Sequence, residues 1–338
     1  MSSDLLHRLP ERERALLRPA AADPGTPMLA KLTDLRDFGD DWLFERKLDG
    51  IRMLASLEDG RVELWSRTGQ RLNATYPEVA GALAEQPCPD FVVDGEVVAL
   101  HRGRTDFALL QQRSGLTAPA AVRASGVAVT FYVFDLLRLG GIDTTRLPQR
   151  LRKSLLRDTL DFRSPLRFTP HRNHGGQQLL DQACGWGWEG LIAKRASAPY
   201  VHGRSPNWLK LKCEAGQELV VGGFTEPAGS RVGFGALLLG YHQDGRLRYA
   251  GKVGTGYDTA TLRALRARLD AIEVDRSPFG EPVRERGAHW VRPEVVAQVG
   301  FTEWTRDGRL RHPRYLGLRE DKRAADVVRE APQGGRGR

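Results

Sequence analysis

Short apolar stretches alternate with polar, Gly-containing breaks along most of this chain, the pattern of strands joined by tight turns. "IRMLASL" and "RVELWS" flank "EDG", and an Asp-Gly between two apolar stretches predicts a hairpin. Further strands are expected at "FVVDGEVVAL", "VAVTFYVFDLL", "GLIAKR" and "NWLKLKC", with helices from Leu147 to Leu160 and over "GGQQLLDQACGWG". After "CEAGQE" the character changes. "LVVGGF", "ALLLGYHQDGRLRYAGKV" and "VVAQVGFTEWTRDGRLRH" supply about five short strands and two more Asp-Gly turns around one helix, "TATLRALRARLDAI". That set suits a small, partly open barrel of the OB type, with a sandwich as the alternative. The expected fold class is α+β. Residues 1–26 read as a leader or linker outside the core, 27–213 as a domain of antiparallel sheets with flanking helices, 214–330 as the barrel, and 331–338 as a disordered tail.

Composition narrows the function classes. A 41% hydrophobic content is that of a globular protein, and a net charge of +9 favours a polyanionic partner, nucleic acid first. Cys88, Cys184 and Cys213 are scattered and odd in number, which argues against a disulfide framework and against a structural zinc site. The start, "MSSDLLHRLPERERALL", lacks an apolar signal core, and no run reaches a membrane-spanning length. A cytoplasmic location is the simplest expectation.

Lysine usage then points to chemistry. The chain has eight Lys against 43 Arg, and only Lys can shed its proton to become a nucleophile. Lys47 stands at the end of a strand-like segment, just before the Asp49-Gly50 turn, where a side chain can project into a cleft; a solvated hairpin lysine is the ordinary reading. "NWLKLKC" puts Lys210 and Lys212 on one strand face, which suits a phosphate or an exposed edge equally. Glu96 and Glu189 are each embedded in an apolar strand, where a cation, a sugar hydroxyl or a basic partner must satisfy them. Phe134 fits either core or a stacking platform for a base. "GWGWEG" matches G-x-G-x-x-G, but a helix precedes it and a strand follows, the reverse of a dinucleotide fingerprint. A P-loop is absent, and "HRNH" has no companions to complete a metal set.

The order of the signals carries more than any one of them. K-x-D-G-x-R at 47–52, S-R-T-G at 66–69, D-G-E at 94–96, F-D at 134–135, E-G-L-I-A-K at 189–194 and K-L-K at 210–212 form a series. The chain thereby resembles the covalent nucleotidyltransferases, the superfamily of ATP-dependent DNA ligases and mRNA capping enzymes, from about 27 to 323. "GFGALLLGYHQDGRLRYAGKVGTGY" and "FTEWTRDGRLRHPRYLGLREDK" are similar to the ligase domain of bacterial ligase D, the end-joining enzyme. Six of the eight lysines (Lys47, Lys194, Lys210, Lys212, Lys252 and Lys322) fall within these stretches.

The resemblance implies an ATP-dependent DNA ligase acting at 5′-phosphate/3′-OH nicks, with an adenylation domain at 27–213. Lys47 would attack the α-phosphorus of ATP and hold AMP before passing it to DNA. Glu189, with Glu96, would hold Mg²⁺ (or Mn²⁺). Glu96 would also accept from the ribose, Phe134 would stack on adenine, and Glu45 would line the adenine end. Arg52, Arg67 and Arg204 match positions used on ribose, AMP phosphate or the DNA 5′-phosphate. Lys210, Lys212 and the metal would lower the Lys47 pKa by like-charge repulsion. Arg311, Asp321 and Lys322 resemble the motif that closes over ATP, with a hinge at 213–218. Nicked duplex DNA, a Ku-type end-binding protein, polymerase and nuclease modules, and a bacterial nucleoid location complete the expectation. The alternatives are an RNA ligase or capping-type enzyme and a catalytically inactive nucleic-acid-binding homologue.

Overall fold

The structure, a computed structural model, describes residues 2–21, 25–35, 37–213, 216–229 and 231–330. The chain divides into two compact units at Cys213/Glu214. The tail at 331–338 and residues 214 and 215 of the expected hinge lie outside the described residues.

The first unit is built on two sheets. The larger has eight strands, with Ile142–Asp143, Val129–Leu139, Phe91–His101, Ile51–Glu58 and Arg61–Ser66 neighbouring in that order. The Ile51–Glu58 and Arg61–Ser66 hairpin turns at Asp59 and Gly60, both at positive φ (48° and 73°), the backbone that a two-residue Asp-Gly turn requires. The smaller sheet orders His171–Arg172, Trp42–Arg46, Gly190–Arg195, Gly203–Lys212 and Met28–Leu32, only the last pair being parallel.

Alternation decides what each face does. Met53, Ala55, Leu57, Val93 and Val97 of the larger sheet bury one face in the main core. Its other face joins Leu54, Val92, Phe134 and Leu137 to Met28, Tyr200 and Trp208 in a second cluster. Phe44, Leu191, Ala193, Leu209 and Leu211 of the smaller sheet pack on Leu179, Leu180 and Ala183 of helix Gly176–Gly185.

Two expectations are corrected. Residues 1–26 are not wholly outside the core: Ser2–His7 is helical, Leu6 and Leu9 are buried in the main core, and Arg18–Pro19 pairs with Ile142–Asp143. Their short, charged surroundings hid the apolar pair. The cysteines also form a bridge, Cys184–Cys213, with Cα atoms 5.3 Å apart and Cys88 left free and buried. The two partners are 29 residues apart, and only the fold brings the helix end beside the strand end.

The second unit centres on a six-stranded sheet in which Arg246–Val253, Leu237–Gln243, Gly216–Thr225 and Ala288–Gly300 are successive neighbours, with Arg314–Leu318 on the last. Asp244 and Gly245 repeat the positive-φ hairpin turn. Helix Thr259–Asp270 starts at Asp258, whose carboxylate accepts from the Thr261 amide at 2.7 Å, and its Leu262, Leu265 and Leu269 face the core. The unit is an OB-fold-type domain. Among the described residues no helix is long and apolar enough to cross a membrane.

Candidate active site

Strand register assembles the candidate residues. Glu45 stands opposite Ile192 and Ile192 opposite Lys210; Leu43 stands opposite Lys194 and Lys194 opposite Trp208. The Lys47 amide donates to the Gly190 carbonyl at 2.9 Å, and Gly190 pairs with Lys212. Directly opposed residues share a face. Glu45, Lys47, Lys194, Lys210 and Lys212 therefore lie on one face, opposite the leucines that fill the core.

Lys47 Nζ lies 2.5 Å from Glu189 Oε1. Burial works against the ammonium, but Glu189 more than offsets it, helped by Asp49 and Glu96, so the Lys47 pKa is raised. With Glu189 so close, the carboxylate dominates the surroundings of the lysine. Glu189 Oε2 is enclosed and accepts no hydrogen bond. Glu96 accepts from the Gly50 amide at 3.0 Å. Two carboxylates acting on one lysine, one with an unsatisfied buried oxygen, fit Mg²⁺, which keeps waters and takes phosphate oxygens rather than a full protein cage. Among the described residues no group of three or more His, Cys, Asp or Glu could hold a metal by itself.

Glu45 is buried with its oxygens on two lysines, Lys153 Nζ at 2.6 Å and Lys194 Nζ at 2.8 Å. Burial alone would raise its pKa; the two ammonium groups overcome that and lower it. The Lys194 pKa is pushed down to about 8, by burial first and with Lys153 adding to it, against the pull of Glu45 and Asp135. Lys153 was not anticipated. It sits 108 residues from Glu45, and nothing local marks it.

Phe134 lies at an irregularity where Asp94 faces Asp135 and Gly95 faces Val133, which re-aims its side chain. The ring is 7% exposed, edge-on to Trp208, with Lys194 Nζ 4.1 Å and the Arg52 guanidinium 4.6 Å from its centre. Here it serves the packing between the sheets.

Arg52 grips Asp94 with Nε and a terminal nitrogen, each at 2.5 Å, and the same carboxylate accepts from the Tyr200 hydroxyl at 2.6 Å. Below Phe134, Asp135 pairs with fully buried Arg152, and Gln149 links that pair to Trp208. These anchors, invisible to local patterning, hold the strands that carry the site. His171, the first histidine of "HRNH", stands opposite Glu45; its Nδ1 is enclosed without a hydrogen bond, and burial lowers its pKa.

Arg67 sits in the turn after Arg61–Ser66, whose Ser66 Oγ accepts from the Thr68 and Gln70 amides. Arg204 is exposed and donates to the Ala30 carbonyl at 3.0 Å. In the second unit, Arg311 donates to Glu303 at 2.6 Å on an exposed hairpin and Lys322 lies 3.2 Å from Glu218. Asp321 is buried with both oxygens on Arg319, at 3.0 and 2.9 Å, which makes it an internal fixture.

Comparisons with known proteins point to one family. Residues 27–212 match the family model for the ATP dependent DNA ligase domain, and 230–322 match that for the ATP dependent DNA ligase C terminal region. The chain is 39% identical over 317 residues to the multifunctional non-homologous end joining protein LigD of Pseudomonas aeruginosa, covering 91% of this chain and 37% of that protein. It is 38% identical over 296 residues to the multifunctional non-homologous end joining DNA repair protein LigD of Mycobacterium tuberculosis, covering 86% and 37%. The chain thus spans little more than a third of the length of these relatives. A solved structure described as mycobacterial DNA ligase D complexed with ATP and MES superposes with a TM-score of 0.65 at 34% identity, covering 92% of this chain and all of that one. Matched across both units, the chain belongs to the ATP-dependent DNA ligase family.

Proposed function

We propose that this chain seals nicks in duplex DNA through an AMP carried on Lys47. The observation that supports the reading most directly is the pairing of Lys47 with Glu189 on the sheet face that also carries Lys210 and Lys212. Lys47 is held as an ammonium, so its nucleophilic lone pair is masked until the proton leaves Nζ. Glu189 Oε1, at 2.5 Å, holds that proton in place, and a cation taken up by Glu189 would weaken the hold and let the proton pass to solvent. The Lys47 nitrogen then attacks the α-phosphorus of ATP and pyrophosphate departs, leaving a phosphoramidate. The AMP passes to a 5′-phosphate, and the 3′-OH of the adjoining strand displaces it.

Phosphoryl transfer asks the protein mainly to position groups and to neutralise charge. Lys210 and Lys212 supply positive charge where oxyanions develop. Mg²⁺ held by Glu189 and Glu96 would add charge neutralisation at the phosphates and disfavour the protonated form of the nearby lysine. Glu96 would accept from the ribose. Arg67 and Arg204 are the cations for AMP phosphate or the DNA 5′-phosphate, while Arg52 acts by holding Asp94. Stacking of adenine on Phe134 requires Arg52 or Lys194 to withdraw from the ring. Arg311 and Lys322 are the second unit's cations for pyrophosphate.

The names of the long relatives extend the proposal to end joining in double-strand-break repair, in the bacterial cytoplasm at the nucleoid. An end-binding protein of the Ku type, together with polymerase and nuclease modules, would be the partners. The test is whether the protein takes up one AMP on Lys47 and transfers it to a nicked duplex bearing a 5′-phosphate.

A further inference from the structure

Cys184 and Cys213 take no part in the chemistry above, yet their bond joins the two chain segments that carry Glu189 and Lys212. Cys184 lies in the last turn of helix Gly176–Gly185, five residues before Glu189, which the short run Gly185–Trp188 delivers. That run is folded back, the Trp188 amide donating to the Ala183 carbonyl at 2.9 Å, and it turns at Gly187 with φ 72°. Cys213 immediately follows Lys212, and its amide donates to the Glu189 carbonyl at 3.0 Å. The next residue pair along the ladder is Gly190 with Lys212. The bridge therefore clamps the end of the ladder where one strand begins with the proposed metal carboxylate and the other finishes with a phosphate-facing lysine.

We infer that the Cys184–Cys213 pair is a thiol–disulfide positioning element for the Lys47 site, fixing Glu189 against Lys212 when oxidised and loosening them when reduced. The inference rests on the ligase reading. Once the bridge is open the corner is left to noncovalent contacts, among them the Cys213–Glu189 backbone bond, the terminal ladder pair and the Lys47–Glu189 ion pair, and strand ends fray more readily than strand centres. Cys184 is exposed and Cys213 is half-buried, so a small thiol can reach the bond, whereas Cys88 is buried and cannot compete for it.

The exchange balances with a small-molecule disulfide such as oxidised glutathione. A thiolate of the pair attacks one glutathione sulfur, releasing one glutathione thiol and forming a mixed disulfide. The second cysteine displaces the other glutathione thiol. The pair gives up two electrons and two protons, and the small disulfide is reduced. Reduction is the reverse.

The experiment uses the full chain equilibrated at oxidised and at reduced glutathione ratios. The state of each cysteine is read by peptide mapping, folding by thermal melting, and two functions are followed: the rate of AMP transfer to Lys47 and the equilibrium affinity for ATP with Mg²⁺. The oxidised form is expected to transfer AMP faster by on the order of tenfold, the scale on which small misplacements of reacting groups act. The Cys184→Ser/Cys213→Ser double variant is expected to match the reduced form at every glutathione ratio. Equal rates and affinities for the two forms overturn the inference, as does failure of the two cysteines to pair under oxidising conditions. Absence of AMP transfer from both forms sinks the ligase reading instead, and a redox-dependent ATP affinity still reports whether the bridge shapes the site.

Discussion

Lys47 and Lys194 lie on one sheet face, yet their surroundings treat them oppositely. Lys47 has Glu189 at 2.5 Å, with Asp49 and Glu96 adding to its pull, and keeps its proton, whereas Lys194 shares Glu45 with Lys153 and is buried. The Lys194 pKa of about 8, against an ordinary value near 10.5, makes a prediction with a definite sign. Below about pH 8 the proton is bound in both folded and unfolded states. Between about 8 and 10.5 the unfolded chain binds a proton that the folded one lacks, so this group makes stability rise with pH. Urea unfolding from pH 7.5 to 10 should show that rise as a difference between the protein and its Lys194→Met variant. A difference that stays flat, or falls, would contradict the assignment. Lys153 and Arg152, which fix Glu45 and Asp135, carried no local mark in the sequence, because their partners are distant in the chain.

At the level of elements, the site depends on the ladder between Gly190–Arg195 and Gly203–Lys212. Gly190 has φ 147°, and a Cβ there would collide with the Leu211 carbonyl and lie 2.9 Å from Lys212 Cα. Only glycine tolerates that backbone and that approach. Gly190→Ala should lower stability by about 2 kcal/mol or more and should slow AMP transfer further than the stability loss explains, since Glu189 and Lys212 move apart. A variant with unchanged melting temperature and rate would show that the ladder end is not what positions the site. Much at this scale was legible. The Asp-Gly turns at 59–60, 244–245 and 307–308 fall between paired strands, and the Lys210/Lys212 alternation holds because Leu209 and Leu211 fill the opposite face. The disulfide was not legible, since spacing says nothing about which strand end meets which helix end. The packing of the first residues was missed for a related reason: Leu6 and Leu9 are a weak signal beside so many charges.

For the whole molecule, the ordered motif series carried the family assignment, and periodicity alone would have stopped at strands plus a small barrel. On the proposed ligase function, the +9 charge points to a phosphate-dominated interaction with DNA. Binding to a nicked duplex should weaken by about 10³-fold or more between about 50 and 200 mM salt if around six phosphates are neutralised. A salt-insensitive affinity would contradict that mode of binding. The central claim is narrower and more direct to test: the intact mass of the protein, with and without ATP and Mg²⁺, beside Lys47→Ala. A gain of one adenylate is expected, reversed by pyrophosphate and absent from the variant. A protein stripped with pyrophosphate that gains nothing, or a Lys47→Ala protein that gains the same adenylate, would contradict it.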